Sequence, residues 1–439
     1  MLQIHNSKIV SSNRFTDTKM AMLAIASALI FITFCLISPI PGPIKNIYKL
    51  DTDNFKLEMF GLALILLGVY IIPLFVIVLY NIFPTAMIYI NCAISLIMAA
   101  ASVMLSISVN NLGSAFSALL LFMAMVFFVY RIIKARRIVR KLIKIATNII
   151  LLNIQAYTAA CISCILTTAI CVYTATLLLS YCFTPQGSNE MILIKVLYAI
   201  MSCVLMVIYV GNCIVVFYAK VAHQHMLNLA NPKEYTRNTL VAGVTRVILS
   251  TGTIFIASLL KFVISLTRYL TKRSYNNNRR AGGGLFVSFI LFIVLLVISL
   301  LELLVEELNS YCLVYNALFG TKFSHSMKHA FHEFKKYVVS CYLNMASICI
   351  IPMMVFASSA MVYNMHYITR LFSVYSLHAQ NYNGLGLVWG IYAVALGGSL
   401  MTVPMVRGIL IAVYFIQHAD TELVEKAYPK YIIKEGAVF

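Results

Sequence analysis

Acidic residues are scarce in this chain: 14 Asp and Glu stand against 33 Lys and Arg in 439 residues, and charged residues of both signs make up 11%. So little charge excludes an ordinary soluble domain, where about a quarter of residues are charged. No Asn-x-Ser/Thr sequon occurs, so nothing implies glycosylated outer loops. A G-x-x-x-x-G-K-[ST] phosphate loop is also absent, which argues against an ATP-driven pump carried on this chain. Long polar stretches are missing too. With every loop under about thirty residues, the chain holds one membrane domain and no large soluble one.

What is present is apolar: 62% of residues are hydrophobic and the mean hydropathy is +0.91. About 20 mainly apolar residues cross a hydrocarbon core about 30 Å thick. Ten runs of that size lie between charges, prolines and glycines: Met20 to Ile40, Met59 to Tyr80, Pro84 to Ser108, Leu112 to Ile133, Tyr157 to Cys182, Met191 to Ala222, Leu240 to Arg268, Gly284 to Leu308, Tyr337 to Tyr363, and Gly384 to Ile416. Lipid supplies no hydrogen-bond partners and barrel strands would be shorter and alternating, so the runs must be helices. The expected fold is an all-α polytopic integral membrane protein with about ten transmembrane helices in one bundle. The first run resembles the core of a signal peptide, but it is too long and lacks a clear small-x-small cleavage site, so it reads as a retained span.

Basic loops set the orientation. With the N-terminus inside, twenty lysines and arginines fall inside, nine outside and four within spans. That divides the chain into a cytoplasmic tail (1–19), a transmembrane domain (20–416) and a second cytoplasmic tail (417–439). The cluster Arg268, Lys272, Arg273, Arg279 and Arg280 falls outside and contradicts the rule at that loop. Tyr275 to Gly284 reads as a flexible connector. The net charge of +19 is thus mostly a matter of orientation and anionic lipid headgroups, not of nucleic acid.

Residues 131–148 form a basic amphipathic helix. Lys134, Arg137, Lys141 and Lys144 recur at spacings of three and four, with Ile132, Ala135, Val139, Leu142 and Ala146 on another side. Such a helix lies in the headgroup region against anionic lipid. The eleven cysteines fall mostly inside apolar runs, where a thiol packs as a small hydrophobe. Cys161 and Cys164 have the spacing of a metal or redox pair, but no second pair and no nearby histidine accompany them. His223, His225, His325, His329 and His332 show no metal-ligand pattern either. Neither a metal, a cofactor nor a catalytic residue is implied.

Ionisable residues inside spans are costly in lipid and are therefore functional candidates: Lys195, Arg246, Lys261, Glu302 and Arg407. Lys195 and Arg246 are near enough to span ends to snorkel. Glu302, Glu306 and Asn309 share one helix face, which either attracts a cation or emerges into water. Lys261, mid-span, needs a partner, and Glu302 or Glu306 on a neighbouring helix would serve. The lone tryptophan, Trp389, stands in a glycine- and proline-rich tenth run about 50 Å long if straight. It marks either a broken-helix site or a headgroup belt.

Several stretches bear a family resemblance. The run Gly252 to Leu260 (GTIFIASLL), followed by Arg268, is similar to a G-S-x-A-F-G-S-L-I segment. Asn309 to Phe323 (NSYCLVYNALFGTKF) resembles N-x-Y-A-x-x-Y-x-x-L-Y-G-x-x-F, and Lys328 to Phe331 supplies the K-x-A-F that follows. Ala419 to Leu423 with Pro429 and Tyr431 is similar to a tail pattern A-x-D-P-E-x-L, and the basic helix to R-x-R-I-x-x-A-I. In this order and spacing they resemble the choline transporter-like family, closest to its fungal branch. Ala257 stands where the family favours glycine, Thr421 where it favours proline, and the loop Pro41 to Glu58 is short.

The resemblance implies a plasma-membrane transporter of choline or a related organic cation, working by facilitated diffusion or exchange, and not an enzyme. It also implies structural roles for Gly252, Ser258 and Gly320. A quaternary ammonium donates no hydrogen bonds and is held by aromatic faces. The expected cage draws on Tyr198 and Tyr209, Tyr311 and Tyr315, and Trp389 with Tyr392, with Glu302 and Glu306 as an anionic lining. The competing classes are a non-transporting polytopic protein, such as a chemosensory receptor or channel subunit, and a membrane-embedded enzyme, which would need a polar cluster at membrane depth.

Overall fold

Every regular element among the described residues of the computed structural model is a helix. The described residues are 15–37, 70–71, 73–108, 112–134, 136–183, 189–232, 238–280, 285–334 and 402–429. The helices are α1 (Thr18–Ile37), α2 (Pro73–Ile82), α3 (Pro84–Ser108), α4 (Leu112–Lys134), α5 (Arg136–Leu152), α6 (Ile154–Phe183), α7 (Asn189–Ala230), α8 (Thr239–Leu249), α9 (Thr251–Arg280), α10 (Leu285–Phe319), α11 (Phe323–Phe334), α12 (Thr402–Ala419) and α13 (Thr421–Ala427). The predicted ninth span, most of the second and the first part of the tenth lie outside the described residues, and Trp389 and Tyr392 with them.

Four of these helices are long and apolar enough to cross a membrane: Pro84–Met104, Leu193–Ala230, Thr251–Asn278 and Thr402–Ala419. The bent pair α5 and α6 adds a fifth if it is one span. The two helices meet at 86°, so α5 runs across the direction of α6. Val139, Leu142, Ile143, Ala146 and Ile150 of α5 are buried in the protein, while Arg136, Arg137 and Arg140 are exposed. Asn153 makes the corner. Its Nδ2 donates to Ile149 O at 2.7 Å and lies 3.1 Å from His225 Nδ1, and Thr239 Oγ1 donates to its Oδ1 at 2.7 Å.

At 42 residues, α7 is about 63 Å long and twice the thickness of a hydrocarbon core. Its second half, Ile214 to Met226, carries the main core. There Val216, Tyr218, Ala222 and Met226 pack with Ile143 and Ala146 of α5, Leu313 and Ala317 of α10, and Ile409, Ala412 and Ile416 of α12. Tyr428, just past α13, sits 3.1 Å from His225 Nε2. The stretch from 417 to 429 is therefore docked against α7.

Two sequence expectations are corrected. The seventh run, Leu240 to Arg268, is not one helix but α8 and α9, separated at Ser250. The basic stretch to Arg280 is not a loop, because α9 continues through it for 30 residues in all. That length, about 45 Å, exceeds the hydrocarbon core by about 15 Å, so the cluster rides on a projecting helix end.

Candidate functional site

The break at Ser250 frees the carbonyl of Leu249, and a buried orphan carbonyl must find a partner. Thr16 supplies it twice, through its N–H at 2.9 Å and its hydroxyl at 3.2 Å. Residues 15–17 therefore lie on the break. Glycine is required at 252 because a Cβ there would meet the backbone of Thr16 and Asp17 at less than contact distance. Asp17, held at φ 52°, accepts through Oδ2 from the Thr253 hydroxyl at 2.7 Å and from the Phe323 N–H, at the start of α11, at 2.8 Å.

Arg246 completes this buried hub. Only 2% exposed, it does not snorkel; its Nη2 donates to Asn316 O at 2.6 Å. Asn316 Nδ2 in turn donates to Thr253 Oγ1 at 3.3 Å and to Thr321 O. Gly320 ends α10 at φ 73°, the left-handed conformation that lets a helix terminate in a tight turn. Ser258, two turns along α9, donates to Ile254 O and accepts from Asn212 Nδ2 of α7 at 2.8 Å.

Beside the break lies a cavity of about 830 Å³ walled by α1, α6, α7 and α9. Tyr198, Met201, Met206 and Tyr209 of α7 face it, with Phe31 of α1, Thr251, Phe255 and Phe262 of α9, and Leu166 and Ile170 of α6. Among the described residues no carboxylate lines it. Tyr198 is held edge-on by Phe34, ring centroids 5.3 Å apart. The structure thus brings together two of the predicted aromatics and adds three phenylalanines that sequence reasoning did not single out. Tyr311 and Tyr315 do not line the cavity. Tyr311 is fully buried against Phe415. Tyr315 stacks on His329 with ring centroids 4.8 Å apart and packs against Phe319 and Phe415.

The other face of α9 carries charge towards α10. Asn309 Nδ2 donates to Ala257 O at 3.0 Å, Lys261 Nζ lies 2.9 Å from Glu306 Oε1, and Glu302 receives Ser265 Oγ at 2.6 Å and Arg268 Nη1 at 2.5 Å. The acidic face of α10 thus meets α9 in an antiparallel register. Arg407 of α12 closes the ladder, bonding Glu307 and lying 3.4 Å from Glu306. Three cations meet three carboxylates. Glu307 was missed in the sequence, where it is one more polar residue beside Glu306.

Among the described residues, apolar helices long enough to cross a membrane carry a broken helix beside a cavity and a paired ionic ladder, features that suit a membrane transporter. The chain belongs to the plasma-membrane choline transporter family, whose sequence model matches residues 115–418. No curated protein matches the chain.

Proposed function

We propose that the chain moves choline or a related small organic cation across the plasma membrane by facilitated diffusion or exchange, through a bundle of about ten helices. The cavity beside the Ser250 break carries this reading, with five aromatic side chains on its walls and no carboxylate among its lining residues. A quaternary ammonium fits such walls because each aromatic face contributes about 0.5 to 2 kcal/mol without needing a donated hydrogen bond. Its volume lies in the range of small-ligand sites, roughly 300 to 1,000 Å³.

In this reading Tyr198 and Tyr209 hold the ammonium with Phe31, Phe255 and Phe262. Trp389 and Tyr392 of the tenth run, which lie outside the described residues, stay candidates for the same role. Tyr311 and Tyr315 keep the core, and Glu302 and Glu306 hold α10 to α9 rather than binding substrate. Because α9 carries both the cavity face and the ladder face, movement of the substrate and re-pairing of the ladder share one helix. Gly252, Ser258 and Gly320 fix that helix at its start and against its neighbours.

The test is uptake of radiolabelled choline into proteoliposomes, with 3,3-dimethylbutanol, the neutral isostere, as competitor. Saturable uptake is expected, with choline competing at least about tenfold better than the isostere, the value of one good cation–π contact. Tyr198→Ala with Tyr209→Ala should raise the half-saturating concentration about tenfold or more. Unchanged uptake in a monodisperse double variant would sink the cavity as the site.

A further inference from the structure

A second cavity, of about 610 Å³, lies between the start of α3 and the basic helix α5. Its walls are Arg140, Lys141 and Lys144 on one side and Ile82 to Ala86 on the other, with no acidic residue among them. α5 contains no Asp or Glu at all, and among the described residues none of the three cations has a carboxylate within ion-pair distance. Three positive charges facing one concavity repel each other, and an anion in it removes that cost.

The geometry is fixed from both sides. Arg136 Nη1 donates to Tyr89 of α3 at 2.5 Å, and Thr147 Oγ1, which donates to Ile143 O at 2.9 Å, lies 3.5 Å from Asn81 Oδ1 at the end of α2. These contacts set α5 against α3 and the end of α2. α3 also begins here at Pro84, so its positive dipole end adds to the field of the cations.

We infer that this cavity binds a phosphate group, presented by an anionic lipid headgroup or as free phosphate. Lys141 and Lys144 are partly buried and Arg140 is exposed, and all three line the cavity. This is a localised site, distinct from the general attraction of a basic helix to an anionic surface.

The test is binding of fluorescent dioctanoyl phosphatidic acid to the purified full chain in detergent, read by anisotropy. Each cation near an anionic headgroup is worth about a fivefold change in affinity. Arg140→Gln with Lys144→Gln should therefore weaken binding about 25-fold. Arg131→Gln with Lys134→Gln removes the same charge outside the cavity and should change it less than about twofold. Equal losses in the two pairs would overturn the site in favour of diffuse attraction. Thr85→Glu places a carboxylate in the cavity, where a helix start tolerates it; the monodisperse variant should lose binding, and wild-type affinity in it would also overturn the proposal. Competition names the source of the phosphate. Displacement by inorganic phosphate at the concentration effective for unlabelled phosphatidic acid identifies free phosphate, and a requirement for about 100-fold more identifies the lipid. Dioctanoyl phosphatidylcholine competing as well as phosphatidic acid would overturn an anion site.

Discussion

The two ends of α9 are built by different rules. Its first turns, Gly252 to Ser258, are almost wholly buried and held by hydrogen bonds to α7, α10 and the segment before α1. Beyond Leu260 the helix is half exposed, and Lys261, Ser265 and Arg268 reach the carboxylates of α10. At the buried end every partner is fixed by shape, because a polar group left unpaired away from water costs about 1 to 3 kcal/mol. Lys261 and Glu306, 28% and 41% exposed, are held by charge and not by close packing, and Glu306 has a second opposite charge, Arg407, within reach on the ladder. A helix anchored at one end and held by exchangeable ion pairs along the other is suited to pivoting about the anchor, and the cavity lies beside that anchor.

The sharpest way to break this contrast is to crowd the anchor. Gly252→Leu forces the Thr16 and Asp17 backbone away and should cost about 3 kcal/mol or more, the upper end for overpacking. The readout is thermal stability of the detergent-solubilised protein, and an unchanged midpoint would show that residues 15–17 do not sit on the break. Next in size is Arg246→Met, which keeps the apolar stem but removes the charged donor from Asn316 O. A loss of about 2 kcal/mol is expected, measured in the same way, and a loss below about 0.5 kcal/mol would remove Arg246 from the anchor.

The smallest effects belong to the ladder. Lys261→Glu and Glu306→Lys should each cost about 0.5 to 1 kcal/mol, with the double swap recovering part of the loss. Recovery is incomplete because Arg407 also faces Glu306. A double variant no better than either single one would show that the pair does not interact.

Much of this was legible in the sequence. The run Pro84 to Ser108 is a helix with those same ends, and Leu112 to Ile133 differs from α4 by one residue. The need of Lys261 for an acidic partner on the next apolar helix followed from its position, since a lone charge in lipid is too costly. Of the predicted aromatics, Tyr198 and Tyr209 could be read as facing one way on α7, but nothing local distinguishes them from Tyr311 and Tyr315, which face the core. Thr16 and Asp17 looked like tail residues, and no local signal marks them otherwise.

Composition and periodicity by themselves determined that the described residues are helical, that the chain belongs in a membrane and where a few helices, such as Pro84–Ser108, begin and end. Each of these follows from a short window of residues and the lack of hydrogen-bond partners in lipid. The break at Ser250, the docking of residues 15–17, the choice of Glu306 over Glu302 for Lys261 and the walls of both cavities were decided by tertiary structure alone. Leu249 can release its carbonyl from the helix because Thr16, 233 residues away, accepts the task, and no local pattern encodes a partner at that distance.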